Sequence, residues 1–210
     1  MYAPTVSVLP ANLFGLQILN VVQNHISGSI PGELSISLKT LNLSSNAFFG
    51  KMPSSIVNLS QVQLINFSYN QFFGKIPASL GELQQLQYLW LDHNLLKGTL
   101  PLTLANCSTL LHLSMEGNAL TDVVPSAISA LLRLQVMSLS QNNLTGSIPG
   151  SNFYNNFVHP PSLDVSNNAL SDDIYYSSIW LPSSNSVHLI FFIIKSNGPK
   201  WLPPFFCKLT

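Results

Sequence analysis

Charge is scarce in this chain. Of 210 residues, eight are Lys or Arg and eight are Asp or Glu, and the formal net charge is +0. That is 8% charged, where an ordinary globular protein carries about a quarter. Neutrality without a basic run leaves no electrostatic footprint for nucleic acid or an anionic membrane surface, and neither partner is expected. Scarce charge does not mean disorder here, because 46% of the residues are hydrophobic and offer ample surface to bury. Cysteine is scarce too. Cys107 and Cys207 are too few for a disulfide framework, and they leave the redox compartment undecided. Long apolar runs are also missing. The longest late one, Leu189–Ile194, is far short of the roughly 20 residues a membrane helix needs. The opening MYAPTVSVLP lacks a basic n-region and is broken by Pro4 and Pro10, so no secretion signal is expected in the sequence as it stands.

What the chain does have is a repeat. In LQQLQYLWLDHNLLKGTLPLTLANC the apolar residues fall at Leu83, Leu86, Leu89, Leu91, Leu96, Leu100 and Leu104, with Asn94 after LWL and Pro101 at the turn. Neither a helical period nor plain alternation fits this stretch. A single solenoid coil does, in which a short strand, a loop and a convex segment each send side chains to one axis. The template returns in phase. Asn24, Asn46, Asn70, Asn94, Asn118 and Asn142 are spaced 22, 24, 24, 24 and 24, and six prolines from Pro31 to Pro149 keep the same spacing. Chance does not produce six matches of this length. The shorter first interval reflects two residues missing between Ile30 and Leu41, on the convex side. A degraded seventh repeat follows at Leu163, Val165, Asn168 and Leu170, after an Asn- and Pro-rich insertion from Ser151 to Pro161. The expected organisation is a poorly matched edge over 1–12, a solenoid over 13–173, and an off-pattern apolar tail over 174–210.

Each coil explains its own residues. An LxL strand pairs with those of neighbouring coils in a parallel sheet, at about 4.8 Å per step. Its leucines point inward and the residues between them point out onto the concave surface. The Asn that follows turns inward, where a buried amide can satisfy backbone groups of its own and the adjacent coil, giving a ladder. Cys107 stands where other coils have Leu59, Leu83 and Leu131, so it is expected to pack as a small hydrophobe. A coil cannot bury its faces alone, so the stack needs caps at both ends. None is recognisable in the sequence, and the expectation is a piece of something longer, or a chain that associates.

The pattern LxxLxxLxLxxNxLxGxIPxxL resembles the plant-type leucine-rich repeat, over roughly residues 11–173. Segments such as LNLSSNAFFGKMPSSIVNLSQVQLINFSYNQFFGKIPASLGELQQLQYLWLDHNLLKGTLP are similar to the ectodomains of plant leucine-rich-repeat receptor-like kinases. The resemblance implies an α/β repeat fold, a right-handed leucine-rich-repeat solenoid with a parallel concave β-sheet and about six to seven coils. It also implies a binding module on the extracellular face of the plasma membrane, acting in signalling on a peptide or protein ligand, with a co-receptor as a further partner. Receptors of that family carry a signal peptide, a paired-cysteine cap, a membrane helix and a kinase. This sequence has no GxGxxG, HRD or DFG, so catalysis is not carried over and the chain is not expected to be an enzyme. No cofactor or metal is expected.

The concave face supplies the candidate site. The column between the two apolar strand residues reads Asn20, Asn42, Asn66, Trp90, Ser114, Ser138 and Asp164, and the column before it Ile18, Thr40, Leu64, Tyr88, His112, Val136 and Ser162. The middle coils thus gather Tyr69, Tyr88, Trp90, Asp92, His93, His112 and Glu116, aromatics beside charges, which is the composition of a binding hot spot. The plainer alternative is that Tyr88 and Trp90 are idle surface residues or pack on each other. Five N-x-S/T sequons, at Asn42, Asn58, Asn66, Asn106 and Asn143, would carry glycans in a secreted protein, although a chain rich in Asn and Ser produces sequons by chance. The histidines and carboxylates lack a nucleophile in a defined arrangement, so solvated surface outweighs acid–base or metal chemistry. Three other functional readings stay open: a secreted inhibitor of a microbial cell-wall-degrading enzyme, a fragment of a receptor kinase, and a truncated product without function.

Overall fold

The computed structural model describes residues 14–148 and 162–171 together with the backbone of 192–193. Within these, short strands alternate between two parallel sheets. The odd-numbered strands build the concave sheet: β1 (Ile18–Asn20), β3 (Thr40–Asn42), β5 (Leu64–Asn66), β7 (Tyr88–Trp90), β9 (His112–Ser114), β11 (Val136–Ser138), β13 (Ser162–Asp164) and β15 (Phe192–Ile193). Their register is in phase with the repeat, so Leu41 lies beside Ile65, Ile65 beside Leu89, and Leu89 beside Leu113. The six Asn-marked repeats and the degraded seventh all supply a strand to this sheet. The tail adds an eighth through β15, which pairs with β13.

The second sheet was not foreseen from the sequence. Its strands follow each Asn: β2 (Ser27–Gly28), β4 (Ala47–Gly50), β6 (Gln71–Gly74), β8 (Leu95–Gly98), β10 (Ala119–Asp122), β12 (Asn143–Gly146) and β14 (Ala169–Leu170). One buried side chain per strand (Phe48, Phe72, Leu96, Leu120, Leu144) points to the axis and its neighbours point out. The convex segments are 3-10 turns of five residues, Ser54–Asn58, Ala78–Glu82, Leu102–Asn106 and Ser126–Ala130. Each is entered from the proline of its repeat in an extended conformation, as a fixed φ with no N–H to donate requires. The first coil, the one short by two residues, has no such turn. Where turns stack, they stack closely. A Cβ at Gly81 would stand 2.2 Å from the Thr103 carbonyl oxygen of the next coil.

The core is one continuous column of Leu, Ile, Val, Phe and Met from Ile30 to Leu170. Phe67 and Phe72 meet within it at a ring-centroid distance of 5.2 Å, and Phe48 stacks on Phe72 at 6.4 Å. Cys107 is fully buried and its thiol donates to the Leu80 carbonyl at 3.3 Å. Burial without a countercharge pushes that thiol up from 9.0 to about 11.

The asparagine ladder runs through the described coils. Asn94 donates through Nδ2 to the Leu91 and Asp92 carbonyls of its own coil and to the Phe67 carbonyl of the coil before, at 3.0–3.1 Å. Its Oδ1 accepts the Phe72 N–H at 3.0 Å. Asn46, Asn70, Asn118, Asn142 and Asn168 repeat the arrangement. Each amide thereby closes four backbone groups that the turn leaves open. Among the described residues, the Asn24 side chain bonds only within its own coil, to the Val21 and Val22 carbonyls.

Candidate functional site

The concave sheet brings the aromatic residues of coils four and five into contact. Strand pairing sets Tyr88 beside His112 and Trp90 beside Ser114. Tyr88 lies 5.5 Å from Trp90 and 5.1 Å from His112, and Trp90 meets His112 edge-on at 6.3 Å. All three are half-buried. The rings therefore touch one another, as the packing alternative drawn from the sequence expects, and each keeps part of its surface in solvent.

A second group lies one column further along the chain. Tyr69, 56% exposed, stacks on His93 at 4.5 Å. His93 Nε2 is 3.9 Å from Glu116 Oε1, and the Gln141 side-chain amide donates to the same oxygen at 2.5 Å. Tyr69 and His93 occupy a slot that is left-handed in every described coil: Gln23, Ser45, Tyr69, His93, Gly117, Gln141 and Asn167 all have φ between 49° and 64°. That geometry turns the side chain off the strand and out over the next coil. Gly117 leaves room for the His93 ring, whose Nδ1 lies 2.5 Å from where a Cβ would stand. Gln141 was missed from the sequence, although its place immediately before Asn142 puts it in the same column.

Asp92 does something different. In coils with Asn or Asp as the last strand residue, that side chain accepts the N–H two residues on: Asn20 from Val22, Asn42 from Ser44, Asn66 from Ser68 and Asp164 from Ser166. Trp90 cannot accept in this way. Instead the Asp92 N–H donates to the Ser68 hydroxyl at 3.2 Å, and that hydroxyl donates to Asp92 Oδ2 at 3.0 Å. Asp92 Oδ1 accepts from the Ser114 hydroxyl and, at 2.9 Å, from the Glu116 N–H. Its carboxylate bridges three coils.

The sequons separate by geometry. Asn58, Asn106 and Asn143 are exposed, the first two ending 3-10 turns and the third opening β12. Asn42 and Asn66 are half-buried on the concave face with Oδ1 engaged. His25 is exposed, while His159, His188 and Cys207 lie outside the described residues. Among the described residues, His, Cys, Asp and Glu form no group able to hold a metal ion. No described helix is long and apolar enough to cross a membrane.

Comparison with known families agrees with the repeat. The leucine-rich-repeat model matches residues 36–96 and 84–144, and a second leucine-rich-repeat model matches 133–158. The chain belongs to the leucine-rich-repeat family. Receptor-like protein 18 of Arabidopsis thaliana is 41% identical to this leucine-rich-repeat chain over 59 residues, 27% of the chain and 7% of that protein. The ectodomain of the Arabidopsis receptor kinase HAESA, solved with an IDA peptide hormone ligand, superposes with a TM-score of 0.67 and 31% identity. The match covers 72% of this chain and 26% of that one. A plant ice-binding protein superposes with a TM-score of 0.75 and 29% identity, over 85% of this chain and 56% of that one. The chain thus spans 7–9% of the length of the curated receptor relatives it matches.

Proposed function

We propose that this chain is a peptide- or protein-binding leucine-rich-repeat module, residues 13–173, of a receptor-type ectodomain. It acts in signalling at the extracellular face of the plasma membrane and has no catalysis of its own. The observation that carries the reading is the platform of Tyr88, Trp90 and His112, joined across adjacent strands and bordered by Asp92, His93 and Glu116. Aromatic rings that are already ordered lose little freedom on binding, and carboxylates beside them fix orientation. In a secreted context, glycans on Asn58, Asn106 and Asn143 would leave this face open. An ice-lattice ligand fits less well, because a lattice needs the same group at every step, whereas the central column changes from Asn42 and Asn66 to Trp90 and Ser114.

The test is selection of binders from a displayed random-peptide library on the folded chain, followed by affinity measurements on variants. Trp90→Ala and His112→Ala should each weaken selected peptides by about tenfold or more, and Leu132→Ala, an exposed residue beyond the concave sheet, should leave them unchanged. Peptides indifferent to both concave substitutions would sink the reading.

A further inference from the structure

The second sheet carries a surface unlike the rest of its length. Outward positions there are Ser27 and Ala47 in the first coils and Ala119, Thr121, Asn143 and Thr145 in the later ones, all small or polar. Between them stand Phe49, 48% exposed, Phe73, 44% exposed, and Leu95, 61% exposed. Strand pairing sets Phe73 directly beside Leu95, and Phe49 beside Gln71, the exposed polar residue two before Phe73 on β6. Three bulky apolar side chains on consecutive coils, facing water while the core has its own continuous column, make a cluster rather than scattered singles.

The border of this patch is basic. Lys51 and Lys75 follow Gly50 and Gly74, and Lys97 lies on β8 itself. The lysine stems are laid down rather than free. Lys51 Cγ is 3.2 Å from the Cβ position of Gly74, and Lys75 Cγ is 3.3 Å from that of Gly98. Glycine in the next coil gives each stem its bed, and the stem covers apolar surface while its ammonium stays in water. The Lys75 stem thus lies over Gly98, the residue after Lys97 on β8. None of the three lysines forms an ion pair with a described residue. Of the described acids, Asp92, Glu116 and Asp164 belong to the concave side, Glu33 lies between β2 and β3, Glu82 ends the convex turn Ala78–Glu82, and Asp122 ends β10 one coil beyond Lys97. Cations that no carboxylate pairs lower their energy when anions arrive, and an apolar centre inside a charged rim is the layout of a protein-docking surface.

We infer that the Phe49–Phe73–Leu95 face is a second binding surface, independent of the concave platform. Its occupant is a segment of a partner protein that presents acidic side chains around apolar ones. Carboxylates meet Lys51, Lys75 and Lys97 while apolar side chains cover the three exposed residues. A polyanion such as a sulfated or uronic glycan would satisfy the lysines but leave the apolar centre wet, so an acidic protein segment is the better match.

The test uses the whole chain and a fluorescein-labelled synthetic peptide that alternates Glu with Leu and Phe, followed by fluorescence anisotropy. The expected result is binding about tenfold or more tighter than that of the same peptide with Lys for every Glu. Lys51→Glu combined with Lys75→Glu, and separately Phe73→Ser, should each cost about tenfold, while Trp90→Ala changes nothing. These side chains are exposed, and a thermal melt checks that the variants fold. Lys51→Gln with Lys75→Gln serves should the charge reversal fail to fold. Equal binding of the Lys peptide, insensitivity to Phe73→Ser with displacement by heparin, or loss of binding in Trp90→Ala would each overturn the inference. Because the concave reading is tested on Trp90 and His112, the two proposals can fail separately.

Discussion

The Asp92 carboxylate accepts the backbone N–H of Glu116, one coil further on, at 2.9 Å. This bond restores what the sequence gives up when Trp90 and Ser114 replace the Asn of earlier strands, since neither supplies the turn-closing oxygen that Asn42 and Asn66 do. The aromatic platform and its support are therefore different residues. Asp92→Ala should destabilise the fold by about 2 kcal/mol, through lost charge-assisted hydrogen bonds and an N–H left without its partner. Asp92→Asn, which keeps an acceptor, should cost about half of that. Trp90→Ala should instead remove ligand affinity with a smaller loss of stability. Urea titration of the three variants separates the roles. An Asp92→Ala protein as stable as the parent would mean the carboxylate supports nothing.

The ladder predicts a gradient along the solenoid. Asn94 closes the Phe67, Leu91 and Asp92 carbonyls and the Phe72 N–H, all away from water. Asn24, exposed and without a preceding described coil to bond, closes only two carbonyls of its own turn. Asn94→Ala should cost about 3 kcal/mol, and Asn24→Ala less than about 1 kcal/mol. Hydrogen exchange at the Phe72 amide should quicken in Asn94→Ala alone. Equal costs at the two positions would show that the bonds to the neighbouring coil add nothing.

The repeat, the concave strands and the amide ladder were legible in the sequence because each rests on a residue type recurring at a fixed interval. Leu89, Asn94 and Pro101 are such residues. The second sheet was not legible. Its strands place only one residue of each coil inside, as at Leu96, and their outward residues vary between Phe73, Lys97 and Thr121, so no two-residue alternation stands out. The site was half legible. Counting columns found Tyr88, Trp90 and His112. Asp92 was grouped with them by exposure and charge, whereas its bonds to Ser68 and Ser114 arise only when the coils stack. The left-handed slot at Tyr69, His93 and Gln141 escaped notice because those residue types have no shared preference for positive φ.

Close stacking of the convex turns gives a sharp steric prediction. Gly81→Ala would put a methyl group 2.2 Å from the Thr103 carbonyl oxygen, and a backbone atom has little freedom to retreat. The cost should be about 3 kcal/mol. Gly32, with no atom within 4 Å of its Cβ position, is the control, and Gly32→Ala should be near neutral. Comparable melting temperatures for the two variants would contradict the packing of these turns.

Cys107 supplies a pH dependence whose sign is fixed. Burial raises its thiol from 9.0 to about 11 in the native chain. Between those values the unfolded chain releases a proton that the native chain retains, so the native state binds more protons and stability falls as pH rises. Below about pH 9 the contribution is flat. In a Cys207→Ser background, the stability difference between the parent and Cys107→Ala should narrow as pH rises through this window, while other titrating groups cancel. A difference independent of pH would place the thiolate in water in both states.

Gly117 tests the second half of the concave site without touching any of its side chains. Its φ of 64° is matched by non-glycine residues in the same slot of other coils, at Ser45 and Gln141 among them. Backbone strain in Gly117→Ala should therefore stay near 1 kcal/mol. The larger effect is on His93, because the new Cβ would fall 2.5 Å from its Nδ1. The ring must leave its seat, and with it the stack on Tyr69 at 4.5 Å and the approach to Glu116 at 3.9 Å. NMR of the imidazole protons should show a shifted His93 and an unchanged His112, whose partners Tyr88 and Trp90 are not involved. Peptides that engage His93 should lose affinity, while those seated on the Trp90 platform should keep theirs. An unmoved His93 resonance would mean that the ring does not rest on Gly117, and the Tyr69–His93–Glu116 group would then no longer count as one ordered surface.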